Sequence, residues 1–472
     1  MRRRLVVTLA LALSAALVAP GSALAHGLVG KQDLPIPRWL FAWAAAAVLV
    51  VSFVALAVLW PRPRLEGIRE RPVLTVPAVL EVLCGILGVA AFVITVWAGF
   101  AGSQTATANL APTVVYVVFW VAIPFTTLVL GDVFAAFNPW RAIARGSAWL
   151  YARGRRDTPA PIPYPEWLGR WPAAAGILLF AWVELVYVNK DDPSQLSVMM
   201  LIYAAAQLIG MSVYGIEAWS RNADAFGIYF RLFSMLSPLH WRARTLYVRP
   251  PLSGAPTLDA GPGTVALLCT MIGTVSFDGL SQGQIWTGQG GIAPELQQRF
   301  VNLGFTGEVA LEITFTIGLL TMVGLISGLY RLGVIGMHSV GRGHDTTELS
   351  RRFVHSLIPI ALAYVVAHYF SLLMYQGQAV AYLVSDPLGD GSNVFGTATA
   401  TIDYNLVGAN GVWYVQVFAL VLGHAAGLTL AHDRALVVYD RVRDATRSQY
   451  WMLAVMVAFT SLGLWLLSAA AQ

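Results

Sequence analysis

PAVLEVLCGILGVAAFVITVWAGF, residues 77–100, carries a single charged side chain, Glu81. A run of this length crosses the hydrocarbon core of a bilayer as one helix, for which about 20 apolar residues suffice. Helix is also the form in which a lone segment closes its own backbone hydrogen bonds where there is no water. Nine further apolar runs lie on either side of it, at residues 40–60, 113–130, 173–188, 196–217, 263–277, 307–330, 353–374, 413–430 and 450–467. The pattern predicts an all-α, polytopic integral membrane helical bundle of ten transmembrane helices.

The connections between the runs alternate in charge. One carries Arg62, Arg64, Arg69 and Arg71, and another Arg141, Arg145, Arg153, Arg155 and Arg156. Those at 242–249, 342–352 and 434–447 are likewise arginine-rich, whereas the intervening ones offer only Lys31, Arg38, Lys190 and Arg299. Because basic residues are retained on the cytoplasmic side, every second loop faces inside. Both mature termini are then expected outside a plasma membrane. The net charge of +5 is spread over these loops without a basic groove or aromatic ladder, so it reports topology and predicts no nucleic-acid partner. A composition 57% hydrophobic and 12% charged over 472 residues leaves too little polar surface for a soluble globular chain. Cys84 and Cys269 both fall inside apolar runs and give no disulfide framework.

Residues 1–25 read as a cleavable signal peptide: Arg2, Arg3 and Arg4, an apolar run, then Ala23-Leu24-Ala25. Cleavage there leaves His26 first, and an N-terminal histidine chelates copper through its amine and ring nitrogen together. A small-residue cleavage site followed by an arbitrary residue is the plainer reading. Residues 26–472 form a single transmembrane domain, with long outer loops 279–305 and 375–412 and inner amphipathic loops 132–172 and 218–262. The inner loops mix aromatics with arginines, as in helices that lie along headgroups.

Ionisable residues at membrane depth are costly and mark function. On the expected outer side these are Glu184, Asp278, Glu308, Glu312 and His368, with His424 deeper. Glu308 and Glu312, four apart, share a helix face. Carboxylates and imidazoles from different helices are the construction of metal centres in bundles. The set His26, Asp278, Glu312, His368 and His424 suits a divalent transition metal, Zn, Cu, Mn or Fe. No His-Glu-x-x-His or Cys-x-x-Cys spacing supports it. Hydrogen bonding between helices is the competing account, and His424 sits in a Gly423-x-x-x-Gly427 frame suited to close packing. Gly324 and Gly328 form a second such frame. His338, His344, His355 and His432 are expected to be solvated or interfacial on the inner side.

Several stretches resemble actinobacterial multi-pass membrane proteins labelled fenitrothion hydrolase. They are His26-Gly-Leu-Val-Gly30 with Asp33-Leu-Pro-Ile-Pro37, Ser276-Phe-Asp-Gly279, Ala367-His-Tyr-Phe370 with Tyr375-Gln-Gly-Gln378, and Gly423-His424 through Ala431-His-Asp-Arg434. The resemblance runs along nearly the whole chain. It implies a membrane-bound hydrolase of aryl organophosphorothioate esters, with a small-molecule substrate and a possible second membrane subunit, and it assigns no catalytic residue. On this reading a bound metal lowers the pKa of a water and a carboxylate, Glu308 or Glu312, is the catalytic general base. Trp286, Trp413 and Tyr375 would wall an aryl group. The alternative is a transporter or copper-handling permease using the same acids and histidines. A polar chain linking the two sides would favour transport, and a single outward pocket would favour an enzyme.

Overall fold

The computed structural model describes residues 38–154, 160–340 and 343–469. The signal segment 1–25 and His26 lie outside the described residues. What is described is nearly all helix. Seven helical stretches are long and apolar enough to cross a membrane. They are α2 (Ala78–Ala101), α3 (Leu110–Leu130), α6 (Pro193–Tyr214), α8 (Thr264–Ser281), α10 (Gly307–His338), the stretch Thr346–Leu383 that contains α11 (Ile358–Gln376), and α12 (Ala409–Val438). Shorter apolar segments lie in α1 (Arg38–Leu59) and in α5 (Trp171–Leu185), and α13 (Val442–Ala469) follows α12. Each of the ten apolar runs thus falls on a helix, and a lipid bilayer is the environment these helices fit.

α8 is the centre. Every residue from Leu267 to Gly279 is buried, which for a helix apolar all round is the signature of an interior position. It packs against α5, α10 and α11. Gly273 lets α10 approach so closely that a Cβ there would lie 2.7 Å from the Val323 Cα. α11 and α12 meet through the expected glycine frame. A Cβ on Gly423 would fall 2.2 Å from the Ala363 Cβ, and one on Gly427 2.8 Å from the Ser356 carbonyl oxygen. Gly324 and Gly328 have no atom within 4 Å of a Cβ position, so that frame packs against nothing in the described chain.

The connections differ from a picture of simple surface helices. α4 (Pro139–Gly154) is amphipathic, with Trp140 buried and Trp149 exposed beneath the Arg153 guanidinium, 3.8 Å from the ring centroid. α7 (Ala225–Ser234) is instead buried at eight of its ten positions, with Phe226, Phe230 and Tyr229 packed on Phe119 and Trp120 of α3. Its aromatics Phe226, Tyr229, Phe230 and Phe233 recur at i, i+3, i+4 and i+7 and form one apolar face, and the helix is buried except at Gly227 and Arg231, which are partly exposed. After it comes a hairpin, β2 (Leu239–Arg242) and β3 (Thr245–Val248), with β1 (Arg71–Thr75) pairing antiparallel to β3 to give the order β1-β3-β2. Glu70 ties this small sheet: His240 Nδ1 lies 2.8 Å, Arg242 Nη2 3.0 Å and Arg249 Nη1 3.1 Å from its carboxylate. Burial opposes ionisation of Glu70, but His240 and Arg249 outweigh it and hold the carboxyl below the usual range. The segment 279–305 contains α9 (Ile292–Asn302), while 384–408 forms no helix or strand.

Candidate functional site

Asp278 sits in the last turn of α8, His368 and Tyr369 in the C-terminal half of α11, and Glu184 in the last turn of α5. Packing of α8 against both other helices brings the four together. His368 Nε2 lies 2.8 Å from Asp278 Oδ2, with the two side chains 16% and 8% exposed. The Tyr369 hydroxyl donates to the same oxygen at 2.9 Å and approaches Glu184 Oε1 at 3.4 Å. Gln282 Nε2 donates to Asp278 Oδ1 at 3.1 Å. Each Asp278 oxygen therefore has a donor, as a carboxylate withdrawn from water requires. His368 meets Asp278 through Nε2, which leaves Nδ1 as the second titratable nitrogen of the ring.

The floor of the site is aromatic. α3 contains a π-helical stretch, Thr113–Ala122, of the kind frequent at functional positions. It presents Trp120, which stacks on Tyr229 of α7 with ring centroids 4.7 Å apart and planes at 14°. The Trp120 indole nitrogen and the Tyr229 hydroxyl are buried without a hydrogen-bond partner. The Trp120 indole lies close to the Tyr369 hydroxyl, so the Tyr229 hydroxyl is the clearer departure from the usual satisfaction of buried polar atoms.

Of the residues singled out in the sequence, Asp278 and His368 are in contact and Glu184 joins them through Tyr369; Glu308, Glu312 and His424 are placed apart or serve different partners. Glu312 accepts from the Val188 amide at 3.2 Å, tying α10 to the chain just after α5. Glu308, in the first turn of α10, is exposed. His424 is fully buried, its Nδ1 2.8 Å from the Leu420 carbonyl oxygen of its own helix and its Nε2 unpartnered. Its ring lies 6.1 Å from that of Tyr364, one turn before His368. Among the described residues no three His, Cys, Asp or Glu side chains group as a metal ion would need. Asp278 and His368 supply two donors, short of the three or four protein ligands of a zinc-type site.

The aromatic walls anticipated for a substrate are occupied otherwise. Trp286 is buried edge-on against Phe277 and Phe315. Trp413 is buried, and the Tyr375 hydroxyl donates to the Val407 carbonyl at 2.6 Å. Tyr369 and Glu184 complete the cluster that Asp278 and His368 begin. Tyr369 gave no signal, because a tyrosine in an apolar run reads as core; Glu184 was visible as an outer acid but lacked a partner in sequence. His355 and His432, expected at the interface, are instead buried at 2% and 1% exposure. His432 Nε2 lies 3.1 Å from the Trp60 carbonyl oxygen, and next to it Asp433 accepts from Trp60 Nε1 and the Arg64 amide, both at 2.7 Å. α12 is thus pinned to the end of α1 by buried groups that its periodicity alone would leave facing water.

A comparison of the chain with protein-family models, curated proteins and solved structures finds no match.

Proposed function

We propose that the protein is a proton-coupled membrane transporter whose working centre is the Asp278–His368 pair with Tyr369 and Glu184. The observation that carries this reading is the series of buried imidazoles continuing beyond that pair. His424 lies beside Tyr364, and His355 and His432 are buried farther along α12 and the lead-in to α11. His355 is 13 residues before His368 in sequence, about 20 Å of helical rise at 1.5 Å per residue. A hydrolytic site confined to one end has no use for histidines buried at that depth, whereas a proton path uses groups that gain and lose charge inside a bundle. In this reading Asp278 fixes the His368 ring through Nε2, and Nδ1 takes the proton from the side the centre faces. Tyr369 and Glu184 hold the second carboxylate and the shared hydroxyl within reach. The arginine distribution supports ten spans after a cleaved signal, both termini and the centre facing outside, and a plasma-membrane location.

The test is proton uptake into vesicles of the reconstituted full chain, read by an internal pH dye under an imposed membrane potential. Uptake in the wild type that is lost in Asp278→Asn and His368→Gln, with both variants inserted and folded, supports the reading. Uptake unchanged in both variants, or absent from the wild type, overturns it.

Hydrolysis at the same centre is the second reading, favoured by one observation: an imidazole oriented by a buried carboxylate is the general-base half of hydrolytic dyads. The resemblance to the fenitrothion hydrolase group supplies the substrate class, an aryl phosphotriester or phosphorothioate. Release of nitrophenol from such an ester by purified protein, lost in His368→Gln, separates this reading from transport. Adding Zn, Cu, Mn or Fe to that assay tests whether a metal takes part.

A further inference from the structure

We propose that a cavity at the arginine-rich end of the bundle binds a phosphate group, carried by inorganic phosphate or by an anionic lipid headgroup. The inference is independent of the transport reading. The cavity measures about 150 Å³ and lies between the turn after α3, the start of α4, the short helix Ile216–Asn222 and the start of α7. Its wall is mostly charged: Arg141, Arg221 and Arg231 face Asp132, Glu217 and Asp224.

Charge of the two signs is balanced in number but not in commitment. Glu217 is held by both Arg141 Nη2 contacts, each 2.9 Å, and by Arg145 at 3.0 Å. Asp224 accepts from Asn138 Nδ2, Trp140 Nε1 and Tyr203 OH at 2.8 to 2.9 Å, and from the Gly227 amide. Asp132 accepts from the Ala135 amide, and its burial pushes its carboxyl toward the neutral form despite Arg231 nearby. The donors are left over. Arg231 donates to the Arg221 carbonyl, at 2.7 Å, and lies near the Asp132 and Asp224 carboxylates, while the Arg221 side chain is exposed at the rim. Arg141 Nε and Ser220 Oγ are buried without partners.

A pocket in which guanidinium and hydroxyl donors outnumber the uncommitted acceptors, with Asp132 shifted toward its neutral form, fits a small anion with several acceptor oxygens. Arginine's planar fork matches phosphate in particular. The volume is about five water shares of roughly 30 Å³, room for a phosphate group with a little water.

Thermal unfolding of the full chain tests the proposal in two arms, one with millimolar inorganic phosphate against chloride of equal ionic strength, the other in nanodiscs of phosphatidylglycerol against phosphatidylcholine. A rise in midpoint with phosphate assigns a free anion. A rise only with phosphatidylglycerol assigns a headgroup. In either case Arg221→Gln should weaken the response about tenfold or more, the effect of losing a charge-assisted bond. Arg221 is exposed, so this variant keeps its fold; Arg231→Gln is the second. No rise in either arm, or an equal rise in Arg221→Gln, overturns the proposal.

Discussion

The two ends of the bundle handle charge in opposite ways. At the arginine-rich end, acids are shared among several cations: Glu217 with Arg141 and Arg145, and Arg145 in turn with Glu81, in a part-exposed network, and Glu70 with His240, Arg242 and the buried Arg249 beside the small sheet. At the other end one buried pair, Asp278 and His368, is surrounded by Tyr369, Glu184 and aromatic rings. Networks in water lose little when one member is removed, because solvent replaces it. A buried pair has no such substitute, and its removal leaves a charge stranded. The first arrangement holds loops in place; the second concentrates electrostatic energy where it is available for chemistry.

Breaking the buried pair tests this contrast most strongly. Asp278→Leu should lower stability in detergent by about 3–5 kcal/mol, whereas Asp278→Leu combined with His368→Leu should recover much of the loss, since the stranded imidazole is gone. A double-variant loss equal to the sum of the Asp278→Leu and His368→Leu losses would show that the pair is not coupled. Next in size is the close approach of α11 and α12. Gly423→Leu forces a side chain into the Ala363 contact and should cost about 1–3 kcal/mol or more. Gly324→Leu, with open space around it, should stay within about 0.5 kcal/mol. Comparable unfolding midpoints for the two would contradict the packing described.

Smaller effects are expected at the arginine-rich end. Glu217 is 61% exposed at its side chain, so Glu217→Gln should cost less than about 1 kcal/mol, measured by unfolding at low and high salt. The smallest is the pH response of the sheet. The Glu70 carboxyl is held low by its neighbours, so its stabilising contribution is complete above the ordinary carboxylate value, about 4.3. It is lost as pH falls through the lower folded value. The stability difference between wild type and Glu70→Gln should therefore be constant from pH 7 to pH 5 and shrink below pH 4; a difference that shrinks already between pH 7 and 5 would point to a histidine instead.

Sequence by itself determined that this is a helical membrane protein, because length and apolarity are properties of a run of residues and require no knowledge of its neighbours. It also marked Gly423 and Gly427 as a contact frame and Asp278 and His368 as out of place at membrane depth, since cost in lipid belongs to each residue alone. Only the tertiary structure decided which of those residues meet. The rotation of each helix about its axis is set by packing, and it turned Asp278 onto His368 and Tyr369 while sending Glu312 to the Val188 amide and leaving Glu308 exposed. It also buried α7, whose arginine-flanked aromatics read as an interfacial helix, and paired β1 with a strand more than 160 residues away. Partners so distant in sequence leave no periodic trace in either segment, so their meeting is written only in the packed fold.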